Sequence, residues 1–280
     1  MATRGVGDMH DVHARLVAFD IDGTLLDLDN PVATATAASL RELQTRGLEI
    51  VFVSSRPIAS LVLLARAIGV DAHLIAYNGA LARSASGRQL IAEGFVINGE
   101  LTEVLRRFSI AGGAVNFYLC EGLRWLAFGP AEFMDVEERA TGLTADERLT
   151  SDALPNLAGI SVLKVMCRGP EAACKQLLRD METYSSLDAV ASGRDCCDIQ
   201  TKGVGKAQAM RVLCQDLGVG MHDVVAFGDS DSDAPMLHMA GYGVAVGAAT
   251  DRAKLAAREH IDGPGSNALA VWVDRIAMSD

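Results

Sequence analysis

The alternation of short apolar runs with helix signals constrains the fold of this chain more than any other feature. Three apolar runs each stop at a polar residue: residues 16–19 before Asp20, residues 48–53 before Ser54, and residues 74–77 before Asn78. Helix signals separate them, with Asn30-Pro31 after the first run and Arg56-Pro57 after the second. This spacing predicts an α/β core with a doubly wound parallel sheet, a Rossmann-like topology.

The middle of the chain has a different pattern, which is typical of an α+β domain. Residues 84–96 indicate a turn and a returning strand, and residues 115–128 alternate like two paired antiparallel strands. A strand is expected over residues 160–167, between helices over residues 98–110 and 170–181.

The α/β pattern resumes near residues 198–202, and residues 244–246 are expected to form the last core strand. We therefore predict that residues 1–82 and 189–280 form the α/β core. Residues 83–188 are expected to form an inserted α+β cap domain.

Composition and charge exclude several classes of protein. Half of the 280 residues are hydrophobic, and 36 acidic against 25 basic residues give a formal net charge of −11. We expect a large core and no nucleic-acid partner, because no basic run is present. The apolar runs are far shorter than the ~20 residues of a membrane span, and the N-terminus resembles no signal or transit peptide. The sequence thus predicts a cytoplasmic monomer or homodimer with no membrane association.

The cysteines are expected to be reduced and buried. No pair has the CxxC spacing, and several lie inside apolar runs, which argues against disulfides and against a zinc site. They are Cys120, Cys167, Cys174, Cys196, Cys197 and Cys214.

Three carboxylates are expected at the carboxyl edge of the sheet. Asp20 and Asp22 follow the first strand, and Asp229 follows a strand over residues 223–227. An isolated Asp at a strand end is commonly just the point where the chain leaves the core. Three of them in one cleft would repel one another unless one were protonated or a cation lay between them. Oxygen ligands favour Mg²⁺, which binds carboxylates together with a phosphate oxygen.

Four segments of the sequence resemble the motifs of the haloacid dehalogenase (HAD) superfamily, in the same order and at matching spacing. Residues 19–25 (FDIDGTL) are similar to its DxDGT motif, and residues 53–57 (VSSRP) are similar to its second motif. Lys206 occupies the position of the third-motif lysine, and residues 227–233 (FGDSDSD) resemble GDxxND. The inserted domain and residues 78–80 are similar to those of the Cof-type sugar-phosphatase branch.

The resemblance implies a Mg²⁺-dependent phosphatase that hydrolyses small phosphate monoesters, such as a sugar phosphate or a related metabolite, through an aspartyl-phosphate. Asp20 would be the nucleophile and Asp22 the general acid and base, with its backbone carbonyl on the metal. Asp229 would complete the metal site. Asp233 would hold a metal-bound water or orient Lys206.

Two further groups are expected to hold the phosphoryl oxygens and to act in catalysis, namely Ser54 and Lys206. Ser54 could instead cap the helix at Pro57, and Lys206 could be a solvated lysine, with Lys202 a competitor for its role. The other substrate-binding candidates are Ser55, Arg56, Asn78 and Ser232.

The sequence departs from the branch at two positions. Ser55 stands where the branch usually has Gly, and Ser232 stands where GDxxND has Asn. Neither change removes a nucleophile, an acid or a charged metal ligand, so catalysis is expected to survive.

Two other functions fit the same motifs. A phosphomutase of similar fold would return the phosphoryl group to its substrate, and a phosphometabolite-binding protein would keep the fold without turnover. A structural α/β protein with accidental motif matches is the third alternative.

Overall fold

The computed structural model describes residues 14–27, 32–149, 157–264 and 266–277. The chain divides into two compact units. One, the core unit, comprises Met1–Leu90 and Gly205–Asp280; the other, the insert unit, comprises Ile91–Val204. The core unit is thus formed from two segments that the insert unit separates in the sequence.

The described helices and strands follow one another along both units. In chain order they are β1 (Leu16–Asp20), α1 (Thr34–Thr45), β2 (Glu49–Val53), α2 (Ile58–Ile68), β3 (His73–Ala76), β4 (Leu81–Arg83), β5 (Gln89–Ala92), β6 (Phe95–Val96), α3 (Gly99–Ile110), β7 (Ala114–Leu119), β8 (Trp125–Phe128), α4 (Ala131–Thr141), β9 (Glu147–Leu149), β10 (Ser161–Arg168), α5 (Glu171–Met181), β11 (Leu187–Ala191), β12 (Cys196–Thr201), α6 (Lys206–Leu217), β13 (Val224–Gly228), α7 (Ala234–Met239), β14 (Tyr242–Val246), α8 (Asp251–Ala256), β15 (Glu259–Ile261) and α9 (Ala268–Ala277).

The core unit contains a mostly parallel sheet. Its strand order over the described residues is β15-β14-β13-β1-β2-β3-β4-β5, and β1 pairs in parallel with both β2 and β13. All of β1 is buried, as its continuous apolar sequence requires, and the rings of Phe19 and Phe227 stack with centroids 5.0 Å apart. The chain runs outward from β1 in one direction and from β13 in the other, so the topological switch point lies between these strands. The predicted doubly wound parallel core is confirmed.

The insert unit has an antiparallel sheet, as expected of an α+β domain. In the described part of the chain its order is β11-β12-β10-β7-β8-β9, with β6 also paired to β10. An apolar cluster joins α3 and α5 to one face of the sheet through side chains such as Leu105, Phe117 and Leu177. This unit therefore has a hydrophobic core of its own.

The unit boundaries differ from the predicted insertion at residues 83–188. The insert unit begins at Ile91 because β4 folds back antiparallel to β3 and extends the core sheet. It ends at Val204 because β12 pairs with β10 and β11, so residues 198–202 do not resume the α/β core. Both differences arise from strand pairing, which the pattern of each single strand does not report.

The structure also bears on the expectations for the last core strand, the first helix, the cysteines and membrane-spanning segments. β14 is not the last core strand, because β15 follows α8 and pairs with β14 in parallel. The predicted helix start at Asn30 and Pro31 lies outside the described residues, and α1 begins at Thr34. All six cysteines are free, and all except Cys120 are buried. Among the described residues, no helix has the length and apolar character needed to cross a membrane.

Candidate active site

Charged side chains from both segments of the core unit meet at the carboxyl ends of β1 and β13. Asp20 is the last residue of β1, Asp229 directly follows β13, and Asp233 precedes α7. One carboxylate oxygen from each of these three residues lies within 4.8 Å of the others. The predicted convergence of distant carboxylates therefore includes Asp233 as a full member.

Lys206 lies among these carboxylates. It is the first residue of α6, and its Nζ donates to Oδ1 of Asp20 and to Oδ1 of Asp233, both at 2.6 Å. The side chain is 4% exposed, which excludes the alternative of a solvated lysine. Its competitor Lys202 is exposed and belongs to the insert unit.

The ionisation of the cluster reflects its burial and its unbalanced charge. Burial, followed by repulsion from Asp233, raises the pKa of Asp20 well above its usual range. Burial and Asp233 also raise the pKa of Asp229, to about 6. Burial alone would lower the pKa of Lys206, but Asp20 and Asp233 outweigh it and raise that pKa, so the ammonium stays protonated. Three carboxylates thus share one ammonium, an arrangement that a second cation would stabilise.

Hydrogen bonds hold the two carboxylates that follow β13. Oδ2 of Asp233 accepts from the Ser230 N–H at 2.9 Å, the Ser230 hydroxyl at 2.6 Å and the Asp229 N–H at 3.2 Å. The Thr24 hydroxyl donates to Oδ1 of Asp229 at 3.0 Å, and the Thr250 N–H donates to the Asp229 carbonyl at 2.8 Å. Sequence reasoning missed these three supporting residues, although Thr24 lies within the DxDGT segment and could have been found there.

The side chain of Asp22 is not a member of this group. Its carboxylate accepts from Arg56 through Nε at 2.9 Å and Nη2 at 2.6 Å, and it is 35% exposed. Arg56, which was expected to bind substrate, therefore holds the candidate general acid in this structure. A metal contact through the Asp22 backbone carbonyl stays a prediction.

The remaining candidates lie on the loops around the cluster. Ser54 directly follows β2 and is 1% exposed, and its Oγ accepts from the Arg56 N–H at 3.1 Å. Ser55 is partly exposed next to it, and Asn78 is buried in the turn after β3. The Ser232 hydroxyl lies 2.8 Å from that of Ser230, so the serine at the GDxxND asparagine position contributes to the loop that holds Asp233.

Residues 17–272 match the family of haloacid dehalogenase-like hydrolases, and the chain belongs to this family. It is 30% identical over 237 residues to an HMP-PP phosphatase of Cronobacter sakazakii, covering 84% of each chain. It is 29% identical over 244 residues to an HMP-PP phosphatase of Serratia proteamaculans, covering 86% of each.

Solved structures share the fold at lower identity. A haloacid dehalogenase-like hydrolase from Bacteroides thetaiotaomicron has a TM-score of 0.81 at 22% identity, over 94% of this chain and 99% of that one. A HAD subclass IIB sugar phosphatase has a TM-score of 0.76 at 20% identity, over 95% of this chain and all of the other (100%). The predicted family and fold class are confirmed, and so is the predicted class of enzyme, a phosphatase of HAD type.

Proposed function

We propose that this protein is a Mg²⁺-dependent phosphatase that transfers the phosphoryl group of a small phosphorylated metabolite first to Asp20 and then to water. The observation that carries the proposal is the position of Asp20. Its carboxylate ends the strand at the switch point, binds the ammonium of Lys206, and lies within 4.8 Å of Asp229 and Asp233.

The residues present fit a hard divalent cation. Three carboxylates balanced by a single ammonium leave two negative charges in excess, and burial together with repulsion from Asp233 raises the pKa values of Asp20 and Asp229. Asp20 and Asp229 would hold the ion with their side chains and Asp22 with its backbone carbonyl, while Asp233 would reach it directly or through water. When bound, Mg²⁺ supplies positive charge that keeps Asp20 ionised and offsets the charge of the phosphoryl oxygens.

Asp20 has the properties of a nucleophile that forms an acyl phosphate. Its buried carboxylate oxygen attacks phosphorus, forming a new O–P bond while the bond from phosphorus to the ester oxygen breaks. The Lys206 ammonium stabilises the negative charge of the transferring group, since Lys206 is already bonded to Asp20. Water then attacks phosphorus, releasing inorganic phosphate and restoring the carboxylate.

Asp22 would provide the proton that the leaving oxygen needs. The carboxyl group gives a proton to the alkoxide in the first step and takes one from the attacking water in the second. Arg56, with its two hydrogen bonds, orients this carboxyl group.

Ser54 and Asp233 would support the transfer in different ways. The Ser54 oxygen accepts the Arg56 N–H, which leaves the hydroxyl hydrogen to donate to a phosphoryl oxygen. Asp233 uses one oxygen for Lys206 and the other for Ser230 and Asp229, which favours its predicted role of orienting the lysine.

The relatives narrow the substrate class. HMP-PP phosphatases are among them, and the fold is shared with a sugar phosphatase, so we take HMP-PP and sugar phosphates as the first compounds to test. We further propose that the enzyme acts in the cytoplasm on a freely diffusing metabolite, as a monomer or homodimer, without nucleic acid or membrane.

Phosphate release from an aryl phosphate, from HMP-PP and from a sugar-phosphate panel tests this function. We expect activity that EDTA abolishes and Mg²⁺ restores, and a loss of about a thousandfold or more in Asp20→Asn. The matched control is Asp71→Asn, which changes an exposed aspartate of the same unit and should leave kcat unchanged.

Three outcomes would contradict the proposal or parts of it. Full activity in Asp20→Asn would overturn the nucleophile assignment. Activity that survives thorough EDTA treatment would overturn the metal. Recovery of the phosphoryl group at another position of the substrate, without free phosphate, would identify a mutase.

A further inference from the structure

The turn that follows β3 has an unusual backbone. Tyr77, Asn78 and Gly79 have consecutive φ values of 51°, 56° and 106°. Left-handed backbone is unfavourable for residues that carry a Cβ, and Tyr77 and Asn78 both adopt it while 1% and 7% exposed. Such conformations persist where the surrounding structure enforces them, and they concentrate at functional sites.

On one side, the turn is bonded to the loop that carries Ser54. The Tyr77 N–H donates to the Arg56 carbonyl at 3.1 Å, and the Asn78 N–H donates to the Ser54 carbonyl at 3.0 Å. In return, the Ser54 N–H donates to the carbonyl of Ile75, on β3, at 2.8 Å. The N–H groups of Tyr77 and Asn78 therefore hold the backbone of Arg56 and Ser54 in place.

On the other side, the turn contacts the start of α6. A Cβ added at Gly79 would lie 2.5 Å from the carbonyl oxygen of Gly205 and 2.7 Å from its carbonyl carbon. Gly205 is the N-cap of α6, its carbonyl accepts the Ala209 N–H at 3.0 Å, and the next residue is Lys206. Glycine at position 79 thus lets the turn contact the helix end directly before the catalytic lysine.

We propose that the Tyr77–Gly79 turn is a positioning element that sets the distance between the Ser54 hydroxyl and the Lys206 ammonium. These are the two groups assigned to the phosphoryl oxygens, so the inference rests on the proposed function. In this role the turn acts through its backbone, with two N–H groups on the Ser54 loop and the bare Cα of Gly79 against Gly205. The strained backbone is maintained because both contacts need it.

Two glycine substitutions separate positioning from strain. Gly79→Ala adds a methyl at φ 106° that has to displace the Gly205 carbonyl, whereas Gly47→Ala adds one at φ 85° with no atom within 4 Å. Both variants carry an alanine in left-handed backbone, and the control lies after α1, away from the proposed site. Both variants are therefore expected to lose stability, and Gly79→Ala alone is expected to misplace Lys206.

The expected result is a specific loss in Gly79→Ala, measured per folded molecule well below the melting temperature. Its kcat should fall about a hundredfold, because misplacing a catalytic group by about 1 Å has effects of this size. Calorimetry with inorganic phosphate and Mg²⁺ should show weaker phosphate binding than in the wild type. Gly47→Ala should match the wild type in kcat and in phosphate binding, even where its melting temperature is lower.

A second variant, Ala209→Val, tests the same contact in case Gly79→Ala does not fold. Ala209→Val thickens the opposite wall of the same contact, since the Ala209 Cβ lies 3.3 Å from the position of a Cβ at residue 79. Ala209→Val should lower kcat about tenfold relative to the wild type. The inference is overturned if Gly79→Ala folds and matches Gly47→Ala within twofold in kcat and in phosphate binding. If Gly79→Ala does not fold, the same comparison is made with Ala209→Val. In either case the proposed function stands as long as the wild-type enzyme is active. An inactive wild-type enzyme would overturn both.

Discussion

Each unit buries a lysine ammonium beside a carboxylate, and the two ammonium groups differ in the number of carboxylates that surround them. In the insert unit, the Lys164 ammonium lies 3.0 Å from Oδ1 of Asp198, with side chains 3% and 2% exposed. In the core unit, three carboxylates surround Lys206. Burial is thus common to both groups. Charge balance distinguishes this ion pair from a site where a bound cation would offset the excess negative charge.

The neighbours of the two groups differ in the same way. Near the insert-unit pair, two buried polar side chains have protein partners: the Tyr118 hydroxyl donates to Glu137 at 2.6 Å, and the Trp125 Nε1–H donates to Asn116 at 2.9 Å. In the core unit, burial and like charge raise the pKa values of Asp20 and Asp229. The core unit therefore retains electrostatic repulsion that costs stability in the metal-free protein, as expected of an active site.

The largest effect should come from Asp229→Asn. Losing one charged ligand removes several kcal/mol of electrostatic stabilisation, so we expect kcat/KM to fall about a thousandfold at a fixed Mg²⁺ concentration. The same change removes a carboxylate whose pKa is raised by burial and by Asp233, so the metal-free protein should be more stable by about 1 kcal/mol. Kinetics and thermal unfolding in EDTA measure the two effects, and a less stable metal-free variant would contradict this account of the cluster.

The corresponding change in the insert unit should act in the opposite direction. Asp198→Asn leaves the Lys164 ammonium buried without its carboxylate, and we expect a loss of about 3 kcal/mol in the free energy of unfolding. The kcat of the folded enzyme should stay unchanged. Chemical denaturation measures the loss, and the double variant Lys164→Met with Asp198→Asn should recover most of it. If Asp198→Asn were as stable as the wild type, the contrast between the two units would disappear.

The smallest effect is a pH dependence of Mg²⁺ binding. The pKa of Asp229 is raised to about 6, so below that pH its carboxyl holds a proton that the ion must displace. The dissociation constant for Mg²⁺ should therefore rise by about tenfold per pH unit below pH 6 and change little above pH 7. Calorimetric titrations at several pH values measure this, and equal affinity at pH 5 and pH 7 would contradict the raised pKa.

Proton linkage also predicts how the stability of the metal-free protein changes with pH. The folded state holds the Asp229 proton up to about pH 6, whereas an unfolded aspartate loses it near its ordinary value of about 4. The folded state binds more protons between these values, so the free energy of unfolding should fall as the pH rises from about 4 to 6. Asp229→Asn, the matched control, should show a weaker fall in this range.

Local signals predicted many of the elements and the polar residues that follow the core strands. The helices predicted over residues 98–110 and 170–181 correspond to α3 and α5, each of which begins one residue later than expected. The apolar runs that became β1 and β13 each lead to an aspartate, and the topology of a doubly wound sheet then required Asp20 and Asp229 to meet. The catalytic roles assigned to these residues stay predictions.

The sequence by itself determined the alternation of strands and helices from β1 to β3, the class of fold and the residue types at the strand ends, because each follows from near neighbours in the chain. The tertiary structure alone decided where the insert unit begins and ends, that Arg56 binds Asp22, and that Thr24 and Ser230 support the carboxylates. It also decided which buried charges are balanced. The Arg56–Asp22 ion pair and the pairing of β12 with β10 join residues far apart in the chain, and desolvation depends on the whole fold, so no local pattern of residues records them.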